Sequence, residues 1–200
     1  VEKALSSEVA AIIVEPVAGN MGLVEPLPGF LQGLRVAATK SGALLIFDEV
    51  INGFRFGPTT VGQREGVIPD LTTLGKIVGG GMPAGALGGR AEIMRLLAPL
   101  GSVYQAGTLS GNPVSLAAGL ATLKLAIAEN PYPKLESQAK RITSALNALK
   151  GPVHCASYGG VFTVFFTERK APLLNLSEVK RCDVSRYAAF FHAMLRRGFY

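Results

Sequence analysis

Two apolar spacings alternate along the first part of the chain. Residues 10–14 and 43–47 are unbroken runs of aliphatic and aromatic side chains, the first closed by Glu15-Pro16 and the second by Asp48-Glu49. Short, continuously apolar runs of this kind predict strands buried on both faces, as in a parallel sheet. Between them Phe30, Leu31, Leu34, Ala37 and Ala38 recur at helical spacing. That predicts a helix from Pro28-Gly29 to about Lys40, stopped at Ser41-Gly42. Strand, helix and strand in this order imply a parallel pair joined by a right-handed crossover. Residues 71–74 predict a further strand, which ends in Gly75 and offers Lys76 before a turn of three glycines.

The remaining pattern is more helical. Residues 1–8 read as the tail of a helix, 57–66 as a loop or short helix, and 90–97 as a helix. Pro113 sits where a first helical turn accepts proline and opens an Ala/Leu-rich helix to about residue 129. A second, amphipathic helix is expected over about 133–149. Composition changes at Gly151-Pro152; beyond it come a strand at 161–166, a loop at 172–177 and a helix at 184–197. Tyr187, Phe190, Phe191 and Met194 share one side of that helix, a stripe expected to pack into a core. His192 belongs to the same helix and is expected at its solvent boundary. The expected architecture is α/β, with a mostly parallel central sheet flanked by helices. It divides into a large portion at 1–130, a connecting helix at 131–150 and a smaller α/β portion at 151–200 whose sheet is unfinished.

Composition narrows the function classes. Of 200 residues, 48% are hydrophobic and 17% charged, so the chain can bury a core and is not a disordered one. The net charge of +6 is scattered, with no basic block interleaved with aromatics. That argues against a nucleic-acid partner and fits small anionic ligands better. Cys155 and Cys182 lie far apart without a CxxC, and His154 and His192 lack ligand spacing. Neither a disulfide framework nor a metal site is expected. No apolar run reaches membrane-spanning length and no signal peptide opens the chain, so no membrane role is expected and a cytoplasmic setting is the default.

In an open parallel sheet ligands lie beyond the carboxyl ends of the strands, and Glu15, Asn20, Asp48 and Glu49 are delivered to that edge. Leu44-Leu-Ile-Phe-Asp-Glu49 has the form of a Walker B strand, but no GxxxxGK[ST] loop accompanies it: around Lys76, Asp70 stands where the first glycine belongs and Ile77 where the hydroxyl belongs. Lys76, among apolar and glycyl neighbours, is expected to lose hydration and become a nucleophilic amine. A strand-end aspartate with such a lysine suits pyridoxal phosphate, which needs an imine-forming lysine and a carboxylate that keeps its ring nitrogen protonated. Val50, on the side of Asp48, can pack against the ring; Asn20 can donate to the phenolic oxygen; Gly107 and Thr108 offer N–H groups and a hydroxyl to a phosphate. Glu15 and Glu49 are expected as hydrogen-bond partners at turns and strand edges, and Arg55 in a surface salt bridge.

Four stretches carry a resemblance: Ile13-Val-Glu-Pro-Val-Ala-Gly-Asn-Met-Gly22, Leu45-Ile-Phe-Asp-Glu-Val50, Pro69-Asp-Leu-Thr-Thr-Leu-Gly-Lys-Ile-Val-Gly-Gly-Gly81 and Tyr104-Gln-Ala-Gly-Thr-Leu-Ser-Gly-Asn-Pro113. The chain resembles the class III pyridoxal-phosphate aminotransferases, most closely their glutamate-1-semialdehyde 2,1-aminomutase branch. It matches that branch further at Gly88-Gly-Arg-Ala-Glu-Ile-Met94 and spans about half a typical member. The resemblance implies a fold-type I transferase, with pyridoxal 5'-phosphate and its pyridoxamine form as cofactors. It implies Lys76 as imine lysine and proton shuttle, Asp48 as pyridinium partner, and Asn20 as donor to the phenolic oxygen. Gly107 and Thr108 would meet the phosphate of the other subunit of a homodimer. The small-molecule substrate would be glutamate-1-semialdehyde, converted to 5-aminolevulinate for tetrapyrrole synthesis. An ordinary class III transaminase using a keto-acid acceptor, and a catalytically silent protein of the same fold, are the alternatives. Members of the family commonly read Met-Thr where this chain has Ile51-Asn52. The family's phosphate turn, ring platform and substrate arginine are expected before residue 1, and an acidic residue of its last domain after Tyr200. The 200 residues alone are therefore expected neither to hold the cofactor tightly nor to turn over.

Overall fold

The computed structural model describes residues 1–169 and 171–200. Its contacts divide the chain into two units, residues 1–17 with 26–131, and residues 18–25 with 132–200.

The first unit is built on a four-stranded sheet. β1 (Ala11–Val14) pairs in parallel with β2 (Leu44–Glu49), joined by helix α1 (Phe30–Ser41). Leu31, Leu34, Ala37 and Ala38 of α1 are buried, as are Ala43, Leu45 and Phe47. The helix ends where Gly42 adopts a left-handed φ of 76° and its N–H bonds Thr39 O, a conformation that glycine enters without a Cβ penalty. β3 (Leu71–Leu74) pairs in parallel with β2, Asp48 opposite Thr73 and Glu49 opposite Leu74. Helix α2 (Val61–Arg64) precedes it. The sheet closes with antiparallel β4 (Ala86–Gly89) on β3, followed by the short helix α3 (Ala91–Met94) and, after a glycine-rich segment, α4 (Pro113–Glu129). The strand order is β1-β2-β3-β4.

Asp70, 3% exposed, ties these elements at the amino end of β3. It accepts from Arg35 of α1 at 2.7 Å, from Arg90 at 2.8 Å and from the Leu45 N–H at 2.7 Å. Burial alone would raise its pKa, but the bonds from Arg90, Leu45 and Arg35 prevail and hold the carboxyl at about 2.

In the second unit, α5 (Tyr132–Asn147) packs on the antiparallel hairpin of β5 (Val153–Tyr158) and β6 (Val161–Phe166). Val153, Cys155 and Val164 form its core with Leu146, Phe166 and Phe190. Asn147 fastens helix to hairpin, donating to Cys155 O and accepting from Cys155 N. Both cysteines are free, and burial pushes the Cys155 thiol up to about 11. Helices α6 (Leu176–Val179) and α7 (Val184–Leu195) follow, each capped by its preceding side chain, Asn175 and Asp183.

Several expectations fail for physical reasons. The helix tail at 1–8 is a single 3₁₀ turn, Glu2–Ala4. β1 is not buried on both faces: it is an edge strand, and Ile13 is 65% exposed. The helix at 90–97 is only Ala91–Met94. Two strands were not expected. β4 is Ala-Leu-Gly-Gly, without period-two alternation, and owes its extended form to pairing with β3; β5 mixes polar and apolar residues but pairs along its length with β6. The loop at 172–177 runs into α6. In α7, Phe190 packs on Phe166 with ring centroids 5.6 Å apart, whereas Tyr187 is 46% exposed. His192 is exposed, as expected of the helix's solvent boundary. Among the described residues no helix is long and apolar enough to cross a membrane, and no group of His, Cys, Asp or Glu could hold a metal.

Candidate active site

The carboxyl ends of β2 and β3 are adjacent because the strands run in parallel, and the chemistry-bearing residues leave the sheet there. Glu49 and Asp48 point to opposite faces, as successive strand residues must. Glu49 is fully buried and caps α2, accepting from Val61 N at 2.6 Å and Gly62 N at 2.9 Å. Burial pushes its carboxyl up, opposed by those two N–H bonds. It is a structural hydrogen-bond partner, as its sequence context implied.

Asp48 is half-buried. Its Oδ1 accepts from Val50 N at 3.1 Å and from Thr73 Oγ1 at 3.2 Å, and Oδ2 takes no bond among the described residues. A carboxylate held by one oxygen with the other open suits a cationic N–H donor such as a protonated ring nitrogen. The next strand supplies Thr73, a support that sequence reading missed.

Two residues beyond β3, Lys76 opens a 3₁₀ turn, Lys76–Gly79. Its φ is 49°, the left-handed region that a non-glycine residue enters at a cost of about 1–2 kcal/mol. Its amine makes no hydrogen bond or ion pair among the described residues. The expected desolvation is not present: Lys76 is exposed, while the flanking Gly75 and Gly79 are buried. The turn is wedged from two sides. A Cβ on Gly75 would lie 3.1 Å from Val50 Cγ1, which brings Val50 against the backbone that carries Lys76. On the other side α4 presses in: a Cβ on Gly119 would run into the Val78 carbonyl oxygen, one on Gly80 into that of Ala118, and Ser115 Oγ donates to Pro83 O at 3.0 Å. Asp48, Val50 and Lys76 thus belong to one edge of one sheet.

The other expected residues lie elsewhere. Gly107 and Thr108 are exposed in the turn before α4, where Ser110 N donates to Gly107 O; Thr108 makes no hydrogen bond to Asp48, Val50 or Lys76. Asn112 closes that turn by capping Val114 N and Ser115 N. Asn20 is exposed and belongs to the second unit. Arg55 makes no salt bridge among the described residues; its Nε donates to Ile51 O. Asn52, noted only as a departure from the family wording, is 1% exposed and bonds both backbone groups of Val17, accepting from N and donating to O, each at 2.9 Å.

The chain is 54% identical over 198 residues to a glutamate-1-semialdehyde 2,1-aminomutase of Nitrosospira multiformis, covering 97% of this chain and 46% of that protein. A protein of the same description from Roseiflexus castenholzii is 52% identical, covering 99% and 46%. The chain spans about half the length of these curated relatives. Among solved structures, a β-phenylalanine aminotransferase from Variovorax paradoxus superposes with a TM-score of 0.80 at 31% identity, over 96% of this chain and 45% of that one. A glutamate-1-semialdehyde-aminomutase from Pseudomonas aeruginosa in complex with PMP superposes with a TM-score of 0.77 at 29% identity, over 91% and 43%. The fold is that of the fold-type I pyridoxal-phosphate transferases, with a mostly parallel sheet flanked by helices. Residues 1–169 match the class-III aminotransferase profile, and the chain belongs to that family.

Proposed function

We propose that this chain forms part of a glutamate-1-semialdehyde 2,1-aminomutase, which moves the amino group of glutamate-1-semialdehyde to the neighbouring carbon and yields 5-aminolevulinate. The reading is carried by Lys76, a lysine without a bond among the described residues, held in a left-handed turn beside Val50 and the strand that carries Asp48. Three curated relatives of that description, 51–54% identical, support it.

Pyridoxal 5'-phosphate, passing through its pyridoxamine form, would supply the electron sink that stabilises charge at the substrate carbon. Lys76 Nζ would be the attachment point and would carry protons between the two substrate carbons, a task suited to an exposed, unencumbered amine on a fixed backbone. Asp48 Oδ2 would accept from the ring nitrogen's N–H and so keep that nitrogen protonated. Val50 would pack on the ring face, and its own N–H keeps the Asp48 carboxylate oriented through Oδ1. In the family's arrangement Asn20 would donate to the phenolic oxygen, and Gly107 with Thr108 would meet the cofactor phosphate of the other subunit of a homodimer. The exposed apolar residues of α4, among them Val114, Leu116 and Leu120, are what such a subunit contact would cover. The enzyme would work in the cytoplasm.

Two measurements on the full-length protein decide the matter. Given glutamate-1-semialdehyde and no keto acid, it should form 5-aminolevulinate; an absolute requirement for an added acceptor would make it an ordinary transaminase. Borohydride reduction with cofactor followed by peptide mapping should place the label on Lys76, and an unlabelled Lys76 would favour a catalytically silent protein.

A further inference from the structure

Asn52 does more than its place in the turn requires. Its side-chain amide faces the Val17 peptide edge on, giving and receiving one bond, as one backbone unit does with another in a sheet. The last register pair of β1 and β2 is Val14 with Phe47. The Asn52 amide therefore adds a rung beyond the end of that ladder, made by a side chain where the two backbones have already parted. The turn is fixed on its other flank as well. Gly53 N donates to Glu49 O at 2.8 Å, Arg55 N donates to Asn52 O at 3.0 Å, and a Cβ on Gly53 would run into Leu74 Cδ2. Between these anchors hangs Val50, which bonds Asp48 through its N–H and abuts Gly75.

A residue kept only to fill this volume would be apolar. An aliphatic side chain of similar size would leave the Val17 N–H and C=O buried and unpaired, which costs more than the packing returns. The amide is therefore chosen for the pairing, and the pairing sets how far the 50–53 turn stands from the end of β1.

We propose that Asn52 is a positioning residue for the ring-binding edge: by gripping Val17 it fixes the turn that presents the Val50 side chain to an aromatic ring. The inference rests on the pyridoxal-phosphate reading given above. It differs from a packing role in one respect, because its effect on ring binding passes through Val50.

The test uses the full-length protein and its N52A, N52D, V50A and N52A/V50A variants. In cofactor-free protein, hydrogen exchange at the Val17 amide should quicken about tenfold or more in N52A, as expected for loss of an ordinary buried hydrogen bond. N52D keeps the acceptor and loses the donor, so it should fall between; it also carries the comparison if N52A does not fold. Absorbance titration with pyridoxal 5'-phosphate should give a dissociation constant about tenfold higher for N52A, while in the V50A background the same substitution should change it less than about twofold. Unchanged affinity in both Asn52 variants, or losses that multiply independently in N52A/V50A, would overturn the inference and leave the function standing. Failure of borohydride to fix the cofactor on Lys76 in the unsubstituted protein would overturn both.

Discussion

Replacing Asp70 by asparagine tests whether the amino end of the sheet is held by charge or only by shape. The substitution keeps the volume and one acceptor oxygen, so the Leu45 N–H, 2.7 Å away, can still be served. It removes the charge that Arg35 and Arg90 share at 2.7 and 2.8 Å. The carboxyl titrates at about 2 instead of its ordinary 3.8. At 1.36 kcal/mol per pKa unit, that gap amounts to about 2.4 kcal/mol of stability at neutral pH. The sign follows from the depressed folded-state value: the contribution is complete above the unfolded pKa of 3.8 and is lost as pH falls towards 2. Linkage leaves roughly half of it at pH 3. Glu49, whose carboxyl is raised, acts in the opposite sense and above 4.5, outside this window. Urea denaturation of D70N and the parent at pH 7, 5, 4 and 3 should therefore show a difference of about 2–3 kcal/mol at pH 7 and 5, shrinking by about half at pH 3. A difference that stays constant to pH 3, or one below about 0.5 kcal/mol at pH 7, would refute the electrostatic account.

Gly119 and Lys76 give two further tests. Gly119→Ala places a methyl on the Val78 carbonyl oxygen and should force α4 away from the lysine turn; the expected outcome is a loss of about 2–4 kcal/mol in urea denaturation and a weaker borohydride-fixed label on Lys76, whereas an unchanged yield and stability would show the helix is not its support. Lys76→Gly and Lys76→Ala should both abolish that label, but the glycine variant, free of the penalty at φ 49°, should be the more stable by about 1 kcal/mol on thermal denaturation. Equal stability would mean that the turn is not strained.

The strand–helix–strand unit was legible because its signals are local: continuous apolar runs, helical spacing in α1 and a glycine stop at Gly42. Helix α4 was legible for the same reason, with Pro113 marking its first turn. What escaped is set by partners distant in sequence. β4 takes its form from β3, and β5 from β6. The apolar neighbours of Lys76 along the chain suggest burial, yet in the fold the buried residues are Gly75 and Gly79 while the lysine is exposed. Asp48 and Lys76 could be picked out from residue type and strand ends. Thr73, which steadies Asp48 from the adjoining strand, could not, because only the register reveals the pair. Asn52 stood out as unusual wording, but its reach back to Val17 becomes visible only when both turns are built.

The antiparallel closure of the sheet has a consequence for engineering. Because Leu74 and Ala86 are paired, the excursion between them is clasped at its neck, with Lys76 near one root and Gly81 and Met82 exposed at the crown. The crown is not slack: Met82 N–H bonds Gly79 O across Gly81, Gly80 lies against Ala118 and Pro83 O takes the Ser115 hydroxyl. Residues inserted there would have to break those ties, so an insertion at the crown would be felt along α4 as well as at the lysine.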